Sequence, residues 1–209
     1  MTETASPLKL RRKPVQQRSR MTQGAILDAF VRLLVEKGYA GLTMRDIALV
    51  AGVGLGTLYE YFPGKKSIAA HCIHERFKNI GIQMRIWVDA KQGQPLQQMI
   101  AYLIEQIIKM HADKMEERSA LIFLERQISN MEAYSSLYGQ IVAIWESAFE
   151  ASADRATYVG KSAEVVHAAV YGVLYQTLML SPQSLLEAKF RQDMQNLVLG
   201  YLQITGQSA

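Results

Sequence analysis

The sequence predicts an all-α chain, an N-terminal three-helix domain followed by a larger helical domain, and three observations carry the prediction. Apolar residues recur at helical spacing through most segments. Two short helical stretches near the N-terminus are separated by a glycine turn rather than by a strand. Near the C-terminus, Leu186, Phe190, Met194, Leu197 and Tyr201 form one continuous apolar stripe at spacings of three and four. With 209 residues, 49% apolar and 20% charged, the chain can bury a sizeable core, and disorder is not expected.

The elements follow in order. Within the first 20 residues, Lys9, Arg11, Arg12, Lys13, Arg18 and Arg20 stand against Glu3 alone, and Pro7 and Pro14 discourage helix, so residues 1–19 read as a flexible basic arm. Ile26, Leu27, Phe30, Leu33 and Leu34 then repeat as one helical face that stops at Gly38, a glycine cap. Thr43 opens a second helix: its hydroxyl can cap the first turn while Asp46, three residues on, caps in return, with Met44, Ile47 and Ala48 on the apolar side.

That helix ends near Ala51, where the stretch AGVGLGTLYEYFPGKK begins. Glycine beside lysine invites a phosphate-loop reading, but the spacing excludes it. A dinucleotide fingerprint needs its third glycine three residues after the second, and here Gly54 is followed by Gly56. A nucleoside-triphosphate loop ending in Gly64-Lys65 needs a glycine at position 59, which is a tyrosine, and Ser or Thr at position 66, which is a lysine. What remains is a helix-turn-helix over about 43–62. Gly52 takes the positive φ that reverses the chain, Gly54 sits at the next N-cap, and Gly56 leaves the first turn of the second helix open to close approach. Leu58 and Phe62, four apart, face the core against Ile47 and the first helix.

Charge is uneven: residues 1–66 carry 11 Lys and Arg against 5 Asp and Glu, while residues 67–209 carry 12 against 14. The basic end is the one suited to a polyanion. A single cysteine, Cys72, excludes an intrachain disulfide, and no apolar segment follows the N-terminal basic residues, so a reduced, cytoplasmic protein is expected. Val165 to Leu180 is apolar but falls short of the roughly 20 residues of a span, and it carries His167, Tyr171, Tyr175 and Gln176; it reads as a helix buried in protein, with no membrane partner.

Leu27-x-Ala29, Leu33-Leu34, Gly38-Tyr39, Leu42-Thr43, Ile47-Ala48, Ala51-Gly52-Val53, Gly56-Thr57-Leu58-Tyr59-x-Tyr61-Phe62 and Lys65 resemble the N-terminal domain of the TetR family of bacterial transcriptional repressors, over about residues 20–70. The resemblance implies about nine helices: a helix-turn-helix DNA-binding domain at 20–66 and a ligand-binding and dimerisation domain at 67–209. It puts Val53, Gly54, Leu55 and Gly56 at the head of the recognition helix in the major groove, and Thr43, Thr57, Tyr59, Tyr61 and Lys65 on phosphates. Arg20, Arg45 and Lys66 are added as basic contacts by position and charge. The chain departs from the pattern at Gly54, where serine is common, and at Lys66, where an acidic residue is common; Glu60 is the one recognition-helix charge that opposes a duplex.

The implied partners are a near-palindromic double-stranded operator, a second copy of the chain and a small-molecule effector. Helices are expected at about 64–91, 95–113, 115–129 and 132–153. Met99, Tyr102, Phe123, Arg126, Tyr138, Trp145, Tyr171 and Tyr175 are the candidate lining of a pocket for a hydrophobic or amphipathic ligand, with Arg126 available to a carboxylate. Val166, Val170, Leu174, Leu186, Phe190, Met194, Leu197 and Tyr201 are the candidate dimer interface. No cofactor motif, nucleophile elbow or catalytic constellation is present, so no enzymatic activity and no cofactor are expected. His71, His74 and Glu75 lie within one turn beside Cys72, but a solvent-facing surface is the expectation and no metal is assigned. Two alternatives follow the same residues: a metal-responsive regulator, and a sequence-tolerant architectural DNA-binding protein.

Overall fold

The computed structural model describes residues 13–129 and 131–204. Among them are nine α-helices and no strand: α1 (Lys13–Gly41), α2 (Met44–Ala51), α3 (Leu55–Tyr61), α4 (Lys65–Asp89), α5 (Leu96–Asp113), α6 (Met115–Ile128), α7 (Met131–Ala151), α8 (Ala163–Leu180) and α9 (Ala188–Ile204). Short 3-10 turns occupy Arg155–Tyr158 and Pro182–Leu186. The chain divides into two compact units, the first ending at Ile68 and the second beginning at Ala69, so the first turn of α4 belongs to one and the rest to the other.

In the first unit α2 packs on α1 and α3 on α2. Ile26, Phe30, Leu33 and Leu34 of α1 are buried with Leu42, Ile47, Leu58, Phe62 and Ile68, each contributing about 1.5–3 kcal/mol of burial. The backbone leaves the helix at Gly38, whose φ of +67° no other residue type adopts without strain. One expectation is corrected here: α1 starts at Lys13, so residues 13–19, taken for part of a flexible arm, are helical. Pro14 lies in the first turn, where its missing N–H has no intrahelical acceptor to lose and its fixed φ suits the helix; it starts the helix rather than blocking it. Lys9, Arg11 and Arg12 lie outside the described residues.

The second unit is built around α5 and α8: α5 packs on α6, α7 and α9, and α8 on α6, α7 and α9. On α4, Ile73, Phe77, Ile80, Met84 and Val88 form one buried stripe. Gly81 faces α7, where an added Cβ would lie 3.4 Å from Ile144 Cδ1. The turn after α4 is clasped to the end of α7: the Gly93 N–H donates to the Ala151 carbonyl at 2.8 Å and the Ala153 N–H to the Gln94 carbonyl at 3.0 Å. Asp154 Oδ1 accepts from the Leu96 N–H at 2.8 Å and so caps α5. Among the described residues α8 is the one helix long and apolar enough to cross a membrane by length and composition; its Val166, His167, Val170, Leu174, Tyr175 and Leu178 are buried within the second unit.

Candidate functional site

The helix-turn-helix is held by local chemistry. Thr43 Oγ1 accepts from the Asp46 N–H at 3.1 Å, and Asp46 Oδ2 accepts from the Thr43 N–H at 3.3 Å, closing the capping box. The Thr43 hydroxyl also donates to Asp46 Oδ2 at 2.7 Å; that bond, with Lys37 nearby, holds the Asp46 carboxyl below its ordinary pKa. Gly52 ends α2 with φ +68°, its N–H bonded back to Ala48 and Leu49. Gly54 caps α3 from an extended conformation, and around Gly56 nothing lies within 4 Å of an added Cβ. Leu58 turns fully inward and Phe62 nearly so, which leaves the opposite side of α3 facing solvent.

That outer face carries Leu55, Gly56, Tyr59 and Glu60, with Arg45 of α2, Lys66 of α4 and Arg20 of α1 exposed in the same unit; Val53 and Thr57 are half-buried. Leu49 is 79% exposed on α2 and was not singled out by sequence pattern, because it continues an apolar run and reads as core. Three residues expected on phosphates turn out to be engaged inside the unit. Thr43 commits its hydroxyl to Asp46. Tyr61 donates to Ser19 Oγ on α1 at 3.1 Å. Lys65 Nζ donates to the carbonyls of Tyr39 at 2.9 Å and Leu42 at 3.1 Å and lies 4.6 Å from the Tyr39 ring centroid, tying α4 to the segment between α1 and α2. Lys66, exposed, is the lysine of this pair left facing outward.

In the second unit a half-open, largely apolar cavity of about 40 Å³ is lined by residues of α4, α5, α7 and α8, among them Arg76, Phe77, His111, Trp145, His167, Tyr171 and Tyr175. Arg76 and Glu125 are 3% and 2% exposed, with Arg76 Nη2 3.2 Å from Glu125 Oε2. The Tyr175 hydroxyl donates to the same carboxylate oxygen at 2.5 Å and accepts from Arg76 Nη2. Burial disfavours the Arg76 charge, but Tyr175 and Glu125 more than offset it and hold its pKa above the ordinary value. Burial pushes Tyr171 and Tyr175 well up, and it pushes His111 down to about 3 and His167 down to about 4, so both imidazoles are neutral at pH 7. His111 Nδ1 lies 2.9 Å from the Ile107 carbonyl, and His167 sits 4.4 Å from the Tyr138 ring centroid.

Of the candidate pocket residues, Trp145, Tyr171 and Tyr175 line this cavity, and the Tyr138 ring lies tilted against His167 of the lining. Met99 is fully buried but lines no part of it, and Tyr102 lies under Lys91 at the surface, 4.7 Å from ring centroid to Nζ. Phe123 and Arg126 are exposed, because on α6 the buried positions are Leu121, Ile122, Leu124 and Glu125. The buried arginine is therefore Arg76, not Arg126; burial of α4 on both Phe77 and Arg76 is the feature the sequence pattern missed.

The interface candidates also divide. Val166, Val170, Leu174 and Met194 are buried within their own unit, since α8 and α9 each turn one stripe onto the bundle. Leu186 and Leu197 are exposed and Phe190 is half-buried. Tyr201 is held internally: its hydroxyl accepts from the Ser162 N–H at 3.0 Å, and Lys161 Nζ lies 4.3 Å from its ring centroid. The outward stripe of α8 is Val165, Ala168, Gly172, Gln176 and Leu180, small or apolar at nearly every position. Among the described residues no three His, Cys, Asp or Glu side chains are grouped to hold a metal.

With this geometry in place the comparisons are specific. Residues 26–72 match the profile described as "Bacterial regulatory proteins, tetR family". IcaR of Staphylococcus aureus, named as a negative transcriptional regulator of the biofilm operon icaADBC, is 30% identical over 119 residues, 56% of this chain and 59% of IcaR. The chain thus spans about three fifths of the length of that relative. Among solved structures, GusR of Salmonella enterica matches with a TM-score of 0.68 at 20% identity, covering 93% of this chain and 99% of that one. FadR of Bacillus subtilis, in complex with stearoyl-CoA, matches with a TM-score of 0.66 at 21% identity, covering 88% and 99%. The structures share the fold, and over residues 26–72, which hold the helix-turn-helix, the chain matches the tetR family of bacterial regulatory proteins.

Proposed function

We propose that this protein is a transcriptional repressor that binds a near-palindromic operator as a homodimer and is released by a small hydrophobic or amphipathic molecule held in the second unit. The observation that carries it is the α2–Gly52–α3 geometry: two short helices locked by a capping box, a solvent-facing α3 whose first turn is open at Gly56, and exposed Arg45, Tyr59 and Lys66 beside it. An exposed helix of this size with flanking cations fits a major groove, cations and tyrosine on phosphates and apolar Leu55 on base edges. One such helix reads few base pairs, so specificity needs a second copy at fixed spacing.

The outer stripe of α8 with Leu186 and Leu197 is the surface for that copy: Ala168 and Gly172 permit close approach, while Leu180 is 71% and Leu186 62% exposed in the single chain. IcaR is a negative regulator by name and FadR was solved with stearoyl-CoA, which supports repression and ligand control here. Helix α4 runs from Lys65 beside the helix-turn-helix to Arg76 on the cavity wall, a covalent route from ligand to operator. The test is selection from a random duplex pool followed by footprinting. Protection of one discrete site with two half-sites about one helical turn apart, or a multiple of it, is expected; uniform affinity for all duplexes would overturn the reading in favour of an architectural protein.

A further inference from the structure

One charge on the outward side of α3 has the wrong sign for a duplex. The helix buries Leu58 completely, and Gly56 and Glu60, two residues to either side, each point about 160° away from it at about 100° per residue. These two exposed positions, one turn apart, are the crest of the helix, with Leu55 and Tyr59 on its flanks. The seven residues of α3 span about 10 Å, less than the roughly 12 Å width of a major groove, so the whole crest fits within one groove. Gly56 brings no side chain and nothing lies within 4 Å of a Cβ added there, so Glu60 is the side chain that the crest presents to the groove floor.

Its carboxylate is unused inside the protein. Among the described residues none donates a hydrogen bond to it or pairs with it, whereas Asp46, the other acidic residue of the helix-turn-helix, is held by Thr43 and Lys37. On docking, the carboxylate would leave water for a surface made mostly of acceptors. Guanine shows N7 and O6 in the major groove, and thymine shows O4 and a methyl, so neither offers a donor. Adenine offers its N6 amine beside the N7 acceptor; cytosine offers its N4 amine alone. A desolvated acceptor without a partner is costly, and more so when it is charged. We infer that Glu60 is a specificity-determining residue of the operator contact: its carboxylate accepts from the N4 amine of a cytosine, at one C·G pair in each half-site, and excludes guanine and thymine from that position. The inference deepens the operator reading and rests on it.

Selection from a random duplex pool is run with the full-length chain, with Glu60→Gln and with Glu60→Ala, and base frequencies are compared position by position. Residue 60 is exposed, so both variants keep the fold. The unaltered chain is expected to enrich cytosine at one position of each half-site. Glu60→Gln should move that one position to adenine, because an amide pairs with N6 and N7 together, and Glu60→Ala should leave it without preference. In the selected duplex, exchange of that C·G pair for T·A should weaken the unaltered chain by about tenfold and leave Glu60→Ala nearly indifferent. Unchanged base frequencies in both variants, even with tighter binding to every duplex, would overturn the inference and make Glu60 a solvated charge, with the operator reading still standing. Changes spread over several positions would overturn it too, since Glu60 would then act through the seating of the helix. An unaltered chain that selects no discrete site would sink both readings at once.

Discussion

The two units treat their polar groups in opposite ways. In the first, Thr43 and Asp46 satisfy each other at an exposed helix end, and the half-buried Lys65 satisfies two carbonyls of the segment between α1 and α2, so the polar groups find partners near the surface of the unit. In the second, Arg76, Glu125 and Tyr175 come from three helices, up to 99 residues apart, and meet in a dry interior with several nitrogens left over. The first pattern ties short local elements together; the second depends on three helices packing at once.

The largest break in that contrast comes from removing one member of the buried pair. Glu125→Ala leaves the Arg76 charge without a partner and should destabilise the second unit by about 3–5 kcal/mol, measured by urea unfolding, whereas Asp46→Ala at the exposed capping box should cost far less. Equal losses would show that burial does not distinguish the two networks.

Acid probes the same interior. His111 and His167 have folded pKa values near 3 and 4, below the ordinary value near 6.5. Their contribution is fully present above about pH 6.5 and is lost as pH falls towards 4, because the unfolded chain takes up protons that the folded chain refuses. Stability should therefore fall by up to about 2.7 kcal/mol per pH unit in that window, and His167→Phe should roughly halve the slope.

Smaller effects sharpen the platform side. Gly52→Ala places a Cβ at φ +68° and should cost about 1–2 kcal/mol. Gly56→Ala, in open space at ordinary helical φ, should gain up to about 1 kcal/mol of stability while weakening operator binding, which separates folding from contact in one substitution. Last, Lys66→Ala should lower the slope of log affinity against log salt by about 1, while Lys65→Ala should lower the melting temperature and leave that slope nearly unchanged.

Much of the first unit was legible in the sequence because its determinants are local. The Thr43–Asp46 spacing, the positive φ at Gly52 and the four-residue step from Leu58 to Phe62 are each readable within a single turn of chain. Pro14 was misread because position within a helix, not residue type, decides whether proline breaks it. The bonds that Lys65 and Tyr61 make inside the unit were not legible, because Tyr39, Leu42 and Ser19, their partners, lie more than 20 residues away. The same holds for the pocket: Trp145, Tyr171 and Tyr175 stand out by size, but whether Arg76 or Arg126 is buried depends on which face of α4 and α6 meets the bundle. On α8, apolar on nearly every side, periodicity could not separate the inner Val166, Val170 and Leu174 from the outer Val165, Ala168 and Gly172.

The clasp between the α4–α5 turn and the end of α7 has a consequence in time rather than in energy. Its three bonds join Gly93, Gln94 and Leu96 to residues 58 or 59 positions further along the chain, so those amides meet solvent only when that end of the bundle opens as a piece. Amide exchange at Gly93, Leu96 and Ala153 should proceed at one shared rate, and Asp154→Ala should quicken all three together rather than Leu96 alone.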